Sequence, residues 1–475
     1  MTESLYVVLK NDIIGTLAAH GDYSLTFTYD TGYAGMPLSC AMTKTGGTSY
    51  PDKIVRPWFD GLLPDNKQTR LKMAREAGCQ PMNTGGLLKH FGKDLPGAVR
   101  VCRESELEDV LNQESGYIPI GEAEIGERLA DTLDESGAQV ARDEHWSLGG
   151  AQGKIALARI ENQWYRCTGS AASTHILKPG VKGYWLQGLD EYLCMQLAEE
   201  IGMNVSKTNY QVFGKTPAIV VERYDRIKPA KGKVLRLHQE DFCQALSVKP
   251  EDKYDPTPAA IIDLLKRESD DNSVMNFVQY LFYNYLIGAT DAHAKNFSLI
   301  HLEAGRTILA PLYDVASILP YQPLSAAPRH AAMRIGREKT FGRLTGSNVK
   351  RFARTNQLDE QSCLETMKEL ACRIKDALPD LNERHAGIPG VEVLGPELER
   401  TVRANCDAML CNLDRDGRSV NVGQFKTIAS GSVDREGPPK RHVMSPREIA
   451  QATKGLVERD VKDGVQQGIR DRRIH

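Results

Sequence analysis

Four side chains of different chemistry lie within six consecutive positions of the chain, at Asp291, His293, Lys295 and Asn296. An aspartate in such a loop can accept the proton of an attacking hydroxyl, and an asparagine five residues later can help to hold Mg²⁺ on nucleotide phosphates. Asp314 follows after a short apolar strand, where a second acidic metal ligand is needed. A lone aspartate in a loop is more often a turn former or a helix cap. This order and spacing instead predict a phosphoryl-transfer loop.

Two residues of this loop have more than one interpretation. His293 could be a catalytic acid, but a histidine at such a position is more often a packing and hydrogen-bonding post, so we assign it no proton transfer and expect it to line the nucleotide site. Lys295 could act beside Asp291 by neutralising charge on the transferred phosphoryl group. A solvated surface lysine is an equally good interpretation of Lys295.

Lys178 ends an apolar strand, in a position suited to pairing with the α- and β-phosphates of a nucleotide. The alternative is a lysine at a strand end that packs its stem and exposes its ammonium group. The downstream Asp291 favours the phosphate role. The helix that follows contains three possible carboxylate partners for this lysine, and the first of them is preferred because it lies nearest the strand. They are Glu191, Glu199 and Glu200.

A glycine-rich stretch precedes this strand and superficially resembles a Walker phosphate loop. The Walker pattern fails, because Leu148 stands where glycine is required and Ile155 stands where serine or threonine is required. A glycine turn between two strands still exposes N–H groups that can bind phosphate, although a flexible hairpin is the plainer interpretation. The strand context before Lys178 favours a nucleotide loop. Its predicted ATP-binding residues are Gly149, Gly150, Ala151, Gln152, Gly153 and Lys154.

Length and charge place limits on the class of protein. A chain of 475 residues is long enough for two to four domains, which fits an enzyme. Its 60 Lys and Arg nearly balance 62 Asp and Glu, so the chain lacks the overall charge typical of nucleic-acid binders. The N-terminal residues lack a signal-peptide pattern and no apolar run is long enough to span a membrane, so we expect a cytoplasmic protein. Ten scattered cysteines without a Cys-x-x-Cys pair favour reduced core thiols.

Apolar periodicity divides the chain into five regions. Residues 1–105 open with alternating strands and include a predicted helix at 66–77, which indicates a strand-rich N-terminal subdomain. Residues 106–145 are acidic and polar, with a short predicted helix at 121–133, and are interpreted as a connector.

The remaining regions carry the predicted chemistry. Residues 146–226 form a predicted nucleotide-binding sheet lobe, in which strands flank the glycine turn and a helix at 189–201 stops at Gly202. Residues 227–415 form a predicted helical catalytic lobe, with long helices at 274–287 and 360–378. Residues 416–475 are rich in Gly, Arg, Asp and Pro and are predicted to be a flexible tail with one late helix near 445–454.

A basic stretch follows Asp314 in the helical region. Such a stretch is usually only a solvated face. Its place downstream of the metal aspartate also permits a role in docking an acidic or tRNA-bound partner. The stretch comprises Arg334, Arg337, Lys339, Arg343, Lys350 and Arg351.

Seven motifs together resemble one family, the HipA serine/threonine kinases, which are the toxins of bacterial type II toxin–antitoxin pairs. They occur in family order over roughly residues 1–415. The motifs are FDGLLPD at 59–65, SLGGAQ at 147–152, HILK at 175–178, VERYDR at 221–226, HQEDFCQA at 238–245, LIGATDAHAKNF at 286–297 and PLYD at 311–314.

The resemblance implies an α+β fold with two lobes like those of protein kinases, an added strand-rich N-terminal subdomain and a mostly helical C-terminal lobe. It implies ATP and Mg²⁺ as cofactors, with Asp291 as the base, Asn296 and Asp314 as Mg²⁺ ligands, and Lys178 on the ATP phosphates. It also implies adenine contacts through backbone groups at the hinge and autophosphorylation of Ser147. The hinge residues are Glu222, Arg223 and Tyr224.

The resemblance further implies partners. Family members are held by a small HipB-like helix-turn-helix antitoxin that binds operator DNA, and they phosphorylate translation proteins such as aminoacyl-tRNA synthetases, which arrests growth. Two features depart from the family pattern: Gly153 replaces an expected polar residue or proline, and the tail beyond residue 420 has no counterpart. Two other functions stay open, an atypical kinase of a small molecule or lipid, and a catalytically silent corepressor bound to its antitoxin.

Overall fold

An antiparallel sheet begins the chain and is covered on one face by three helices. In β3 the residues Leu25, Phe27 and Tyr29 are buried and their neighbours are half-buried, as the alternating pattern predicts. Sheet and helices share a core around Trp58 and Phe59. The strands, in the order β4-β3-β2-β1-β5, are β1 (Glu3–Leu9), β2 (Asp12–Ala19), β3 (Leu25–Tyr29), β4 (Ser49–Tyr50) and β5 (Val99–Cys102), and the helices are α1 (Asp52–Gly61), α2 (Lys67–Ala77) and α3 (Thr84–Phe91).

A six-stranded antiparallel sheet forms the middle of the chain. The sequence assigns residues 106–145 to a connector, but residues 115–133 supply an edge strand and a helix to this sheet. The edge strand contains Ser, Gly and Pro, which hide it from a pattern search. The strands, in the order β10-β11-β9-β7-β8-β6, are β6 (Ser115–Pro119), β7 (Ile155–Ile160), β8 (Gln163–Gly169), β9 (His175–Lys178), β10 (Thr208–Phe213) and β11 (Thr216–Glu222), with helices α5 (Glu122–Leu133) and α6 (Gln187–Glu200). The short helix α4 (Leu107–Leu111) packs instead against β1 and β5 of the first sheet.

The rest of the described chain is mostly helical. Its long helix α9 is buried almost all round and forms the centre of the largest apolar core. Its helices are α7 (Phe242–Ala245), α8 (Pro258–Glu268), α9 (Asp271–Ile287), α10 (Gly346–Thr355), α11 (Glu360–Arg384) and α12 (Val391–Leu413). Its short strands are β12 (Arg226–Ile227), β13 (Leu235–Arg236), β14 (His238–Asp241), β15 (Ser298–His301), β16 (Thr307–Leu309), β17 (His330–Ile335) and β18 (Glu338–Thr340).

This computed structural model describes residues 3–112, 115–133, 146–227, 234–302, 305–321 and 329–413. The predicted tail at 416–475 and its helix at 445–454 lie outside those residues. Within them, no helix is both long and apolar enough to cross a membrane.

The helices predicted from apolar periodicity are present. Asn66 caps α2, since its side chain accepts hydrogen bonds from the N–H groups of Gln68 and Thr69. Gly202 lies just beyond α6 with a φ of +83°, the left-handed conformation expected of a glycine stop. The predicted helices at 274–287 and 360–378 correspond to α9 and to most of α11.

A buried aspartate of the N-terminal subdomain binds three arginines near the hinge. Asp94 lies 2.9 Å from Arg226, 3.4 Å from Arg236 and 3.5 Å from Arg223, measured between carboxylate oxygens and guanidinium nitrogens. Burial alone would raise the pKa of Asp94, but the three guanidinium groups lower it below its usual range. Asp94 also accepts hydrogen bonds from the backbone and hydroxyl groups of Ser173.

A second buried carboxylate joins the N-terminal subdomain to the helical region. Glu240 on β14 accepts hydrogen bonds from Ser39 Oγ at 2.6 Å, Cys40 N at 2.8 Å and Trp58 Nε1 at 3.0 Å. His301 Nε2 lies 3.0 Å from Oε1 of the same carboxylate. Because both oxygens are already bonded, the proximity of Cys40, Glu240 and His301 is explained by this hydrogen-bond network without a metal.

Candidate active site

A cavity of about 520 Å³ lies between the six-stranded sheet and the helical region. Nearly all the residues predicted from sequence to bind nucleotide or to catalyse line this cavity, and the two exceptions are Ser147 and Gly153. A Cβ at Gly153 would lie 2.6 Å from the carbonyl oxygen of Thr132, so this glycine permits close packing against α5. The predicted residues that line the cavity are Gly149, Gly150, Ala151, Gln152, Lys154, Lys178, Glu222, Arg223, Tyr224, Asp291, His293, Lys295, Asn296 and Asp314.

Lys178 is held between two carboxylates at the end of β9. Its ammonium lies 2.8 Å from Glu191 on α6 and also pairs with Asp314. Glu191 is therefore the partner, as expected from its place nearest the strand. Burial alone would lower the pKa of Lys178, but Asp314 and Glu191 raise it above its usual value. The lysine is thus charged and fixed in the cavity, where it can meet an anionic ligand.

Asp314 has an unusual backbone conformation. Its φ of +61° lies in the left-handed region, which few residues other than glycine adopt. Burial would raise its pKa, but Lys178 and Lys154 lower the pKa of Asp314 to about 2, so the carboxylate is ionised. Backbone strain of this kind concentrates at functional sites because the surrounding structure must hold it in place.

The loop after α9 places its side chains as predicted. Asn296, in the short 3₁₀ turn Ala294–Asn296, turns back and donates from Nδ2 to the backbone oxygen of Asp291 at 2.8 Å. That bond leaves Oδ1 of Asn296 as the atom that can bind a metal. The carboxylate of Asp314 is the second oxygen donor, and carboxylate and amide oxygens suit Mg²⁺. These two residues therefore fit the predicted metal site.

Asp291 has a neighbour that the sequence did not predict. The hydroxyl of Tyr254 donates a hydrogen bond to Oδ1 of Asp291, whose side chain is 66% exposed. The ring of His293 lies edge-on to Tyr254, with 5.1 Å between the centroids. Burial lowers the pKa of His293 to about 4, so its imidazole is neutral near pH 7. A neutral packing group agrees with the role expected of His293.

Lys295 is not a solvated surface lysine. Its side chain is only 6% exposed, and its ammonium lies 2.6 Å from Oδ1 of Asp65. Asp65 comes from the N-terminal subdomain, in the segment between α1 and α2. Sequence reasoning missed this contact, although Asp65 ends the 59–65 motif, which was the available signal.

The glycine loop is not the hairpin tip that its sequence suggests. No strand of the described chain leads directly into it, and the loop instead contacts the N-terminal subdomain. Ser147 is buried and donates from Oγ to the carbonyl oxygen of Leu62 at 2.9 Å. Its N–H donates to the carbonyl oxygen of Asp94 at 3.0 Å. Among the described residues, the loop is thus held by bonds to residues far away in sequence.

The side chain of Lys154 bonds back to the backbone of the glycine loop. Its ammonium donates to the carbonyl oxygen of Gly149 at 2.7 Å. Burial and the ammonium of Lys178 lower the pKa of Lys154 to about 8. Two lysines therefore face the same end of the cavity, which suits a ligand with several negative charges.

The hinge begins where β11 ends at Glu222. Arg223 donates from its backbone N–H to the carbonyl oxygen of Thr174, and its guanidinium pairs with Asp225 at 2.9 Å. The ring of Tyr224 stacks on Tyr313 with 5.7 Å between centroids. The side chains of Arg223 and Tyr224 are thus engaged, and adenine recognition through backbone groups of this segment stays a prediction.

Comparison with known families agrees with this geometry. Residues 5–102 match the HipA N-terminal domain, and residues 146–378 match the HipA-like C-terminal domain. The chain belongs to the HipA family. Y4mE of Sinorhizobium fredii, a relative named for an expected kinase activity, is 35% identical over 348 residues, which cover 70% of this chain and 81% of the relative.

One further relative and one solved structure, both of Shewanella oneidensis HipA, connect this HipA-family chain to a named toxin. The serine/threonine-protein kinase toxin HipA of Shewanella oneidensis is 26% identical over 401 residues, covering 80% of this chain and 89% of the toxin. The solved complex of Shewanella oneidensis HipA with HipB and operator DNA matches with a TM-score of 0.73 at 24% identity, covering 86% of this chain and 98% of that one. The expected α+β fold is confirmed, and the chain is a serine/threonine kinase of the HipA toxin family.

Proposed function

We propose that this kinase transfers the γ-phosphoryl group of ATP to a serine or threonine of a protein, with Asp291 as the base. One observation carries the proposal: Lys178, Asp314, Asn296 and Asp291 all line one cavity between the two lobes. The acceptor hydroxyl gives its proton to Asp291, its oxygen bonds to the γ-phosphorus, and the bond to the β-phosphate oxygen breaks to release ADP.

Each remaining group has a part in holding the nucleotide. Lys178, fixed by Glu191, neutralises the α- and β-phosphates, and Lys154 adds a second positive charge beside them. Lys295 lies where it can neutralise the phosphoryl group in transfer. Asn296 and Asp314 would hold a Mg²⁺ ion, which would supply positive charge against the nucleotide phosphates.

Two substitutions test this assignment in one experiment. Asp291→Asn should abolish phosphate transfer and leave ATP affinity nearly intact, because the base acts on the acceptor hydroxyl. Asp314→Ala should lose both activity and the Mg²⁺-dependent part of ATP affinity. Turnover and nucleotide affinity are measured with and without Mg²⁺. Near-normal turnover of Asp291→Asn would remove this residue from the base role, and unchanged Mg·ATP affinity of Asp314→Ala would refute the metal site.

Self-phosphorylation of Ser147 is a further part of the proposal. The hydroxyl bonds to Leu62 and is buried, so the glycine loop must leave its position before Ser147 can reach Asp291. A phosphate there adds about −1.5 to −2 charges and cannot donate to the Leu62 carbonyl, so the loop could not return. Mass spectrometry should find phosphate on Ser147 in the parent and none in Asp291→Asn. An unmodified Ser147 in active protein given ATP would contradict self-inactivation.

The proposed partners follow the family. We assign a HipB-like helix-turn-helix antitoxin, through which operator DNA is bound, because the matching Shewanella HipA was solved with HipB and its operator. The protein acceptor is a translation component such as an aminoacyl-tRNA synthetase, and its phosphorylation in the cytoplasm arrests growth. Arg334, Arg337 and Arg351 of the basic stretch are exposed and available for docking it.

Labelled ATP in a lysate tests the acceptor class. Label in a protein band supports the protein kinase. Label only in small molecules or lipids would favour an atypical small-molecule kinase, and no transfer at all would favour a silent corepressor. The Asp291→Asn variant is the matched control, because any label that persists with it comes from another enzyme.

A further inference from the structure

One aspartate of the N-terminal subdomain touches both the catalytic loop and the glycine loop of the active site. The carboxylate of Asp65 lies 2.6 Å from the ammonium of Lys295 in the catalytic loop. Its backbone N–H donates to the carbonyl oxygen of Gly150 in the glycine loop at 3.0 Å. A single residue outside the two kinase lobes therefore contacts an element of each lobe.

The carboxylate also faces a second lysine. Its Oδ2 lies 3.7 Å from the ammonium of Lys253, just before Tyr254. Within the described part of the chain, Oδ2 of Asp65 is buried without a hydrogen-bond partner. Burial would raise the pKa of Asp65, but Lys295 and then Lys253 lower it, so the carboxylate is charged.

The position of Lys295 depends on this charge. An ammonium group buried to 6% exposure needs an anionic partner, and Asp65 is the carboxylate in contact with it. Lys295 also lines the nucleotide cavity, so the ammonium can keep a donor for phosphate while Asp65 accepts another. Its location relative to the transferred phosphoryl group is thus set from the N-terminal subdomain.

We propose that Asp65 is a positioning residue for phosphoryl transfer, which fixes Lys295 through its carboxylate and the glycine loop through its backbone N–H. This inference rests on the proposed kinase site and adds a role for the N-terminal subdomain, which completes the active site. The competing explanation is that Asp65 only stabilises the contact between the subdomain and the lobes.

The test is Asp65→Asn, which keeps the size and the backbone N–H and removes the charge. We expect kcat to fall roughly tenfold to a hundredfold, because small misplacements of a catalytic group have effects of about this size. KM for ATP should change much less, since Lys178 and Lys154 remain. The matched control is Glu106→Gln: Glu106 is also 14% exposed and bonds two basic residues, Lys93 and Arg103, within the N-terminal subdomain. Its kcat should equal that of the parent.

A double mutant separates positioning from mere stabilisation. In a Lys295→Met background the charge of Asp65 has no ammonium to position there, so adding Asp65→Asn should lower kcat no further. An equal loss of kcat with and without Lys295 would overturn the proposal, as would an unchanged kcat of Asp65→Asn. If Asp65→Asn does not fold, Asp65→Glu is measured instead, because its added methylene displaces the ammonium; a parental kcat would then overturn the proposal.

Failure of this inference can be told from failure of the proposed function. If Asp291→Asn is inactive and Asp65→Asn is fully active, the kinase site stands and only the positioning role is wrong. If Asp291→Asn keeps normal turnover, the assignment of the base fails first.

Discussion

The N-terminal subdomain meets the kinase lobes at two aspartates that have different partners. The hinge-side contact is Asp94 with three arginines, and the site-side contact is Asp65 with Lys295 and Lys253. The carboxylate of Asp94 is 2% exposed and that of Asp65 is 14% exposed. Of the three arginines around Asp94, Arg223 lines the nucleotide cavity and the other two do not, whereas both lysines around Asp65 line it.

The type of basic side chain differs between the two contacts and suits the task of each. A guanidinium is planar and always charged, and it binds carboxylates through two donors in fixed geometry, which suits a contact that only holds parts together. An ammonium is a compact charge whose remaining donors can bind a ligand. The comparison teaches that one subdomain both stabilises the hinge and equips the active site, with different cations for the two tasks.

The largest effect is expected at the hinge-side contact. Asp94→Asn leaves Arg236 without its buried carboxylate partner and leaves Arg226 with Asp225 alone. Breaking such a buried contact costs about 3–5 kcal/mol. The free energy of unfolding, measured by urea titration, should fall by that amount. The free energy of unfolding of Glu106→Gln, the partly exposed control, should fall much less. If the free energy of unfolding of Asp94→Asn fell only slightly, the proposed difference between the two contacts would be wrong.

The affinity of the nucleotide cavity for ATP should depend on pH. Because burial and Lys178 lower the pKa of Lys154 to about 8, its ammonium is charged below that pH and loses its proton as the pH rises through it. ATP affinity should therefore be highest below about pH 8 and about tenfold weaker at about pH 9 than at about pH 7 in titrations. Lys154→Arg, which stays protonated, should flatten the profile. A parent profile as flat as that of Lys154→Arg would contradict a phosphate role for Lys154.

The smallest effect is expected at Tyr254. Its hydroxyl donates to Oδ1 of Asp291, the carboxylate to which the serine or threonine hydroxyl of a protein substrate must donate. A protein substrate therefore has to displace the Tyr254 hydroxyl. Removing one net hydrogen bond by Tyr254→Phe should lower KM for the protein acceptor by about threefold. Steady-state kinetics with Tyr50→Phe as control would measure this, since the Tyr50 hydroxyl bonds only to backbone atoms of Lys44, outside the cavity. A fall in kcat with unchanged KM would instead mean that Tyr254 orients the base.

The sequence could predict which local segments come together at the candidate site, while the roles of their residues stay predictions. Asp291 and Asn296 lie in the loop after α9, and Asp314 lies shortly after β16. Within such short segments, spacing in sequence determines spacing in the fold. Glu191 was found for the same reason, because α6 follows directly after β9 and its first turns must pass the strand end. The subdomain boundaries near residues 105 and 226 stay predictions.

Contacts between distant segments could not be predicted. Asp65 and Lys295 are 230 positions apart, and no local pattern states that their charges meet. The same limit left a flexible hairpin open as the alternative for the Ser147 loop, and a solvated surface lysine as the alternative for Lys295. In each case the deciding partner belongs to the N-terminal subdomain, whose docking is a property of the whole chain.

The four groups around Glu240 also set an order of events during synthesis. Ser39, Cys40 and Trp58 leave the ribosome long before Glu240 and His301, and N-terminal units fold first. These donors of the N-terminal subdomain therefore cannot bond to the Glu240 carboxylate until the later strands have been synthesised. Asp291 is translated between Glu240 and His301, so the last bond of this network forms only after Asp291 has been made. A chain that ends before His301 therefore has neither the closed network nor Asp314 of the candidate metal site.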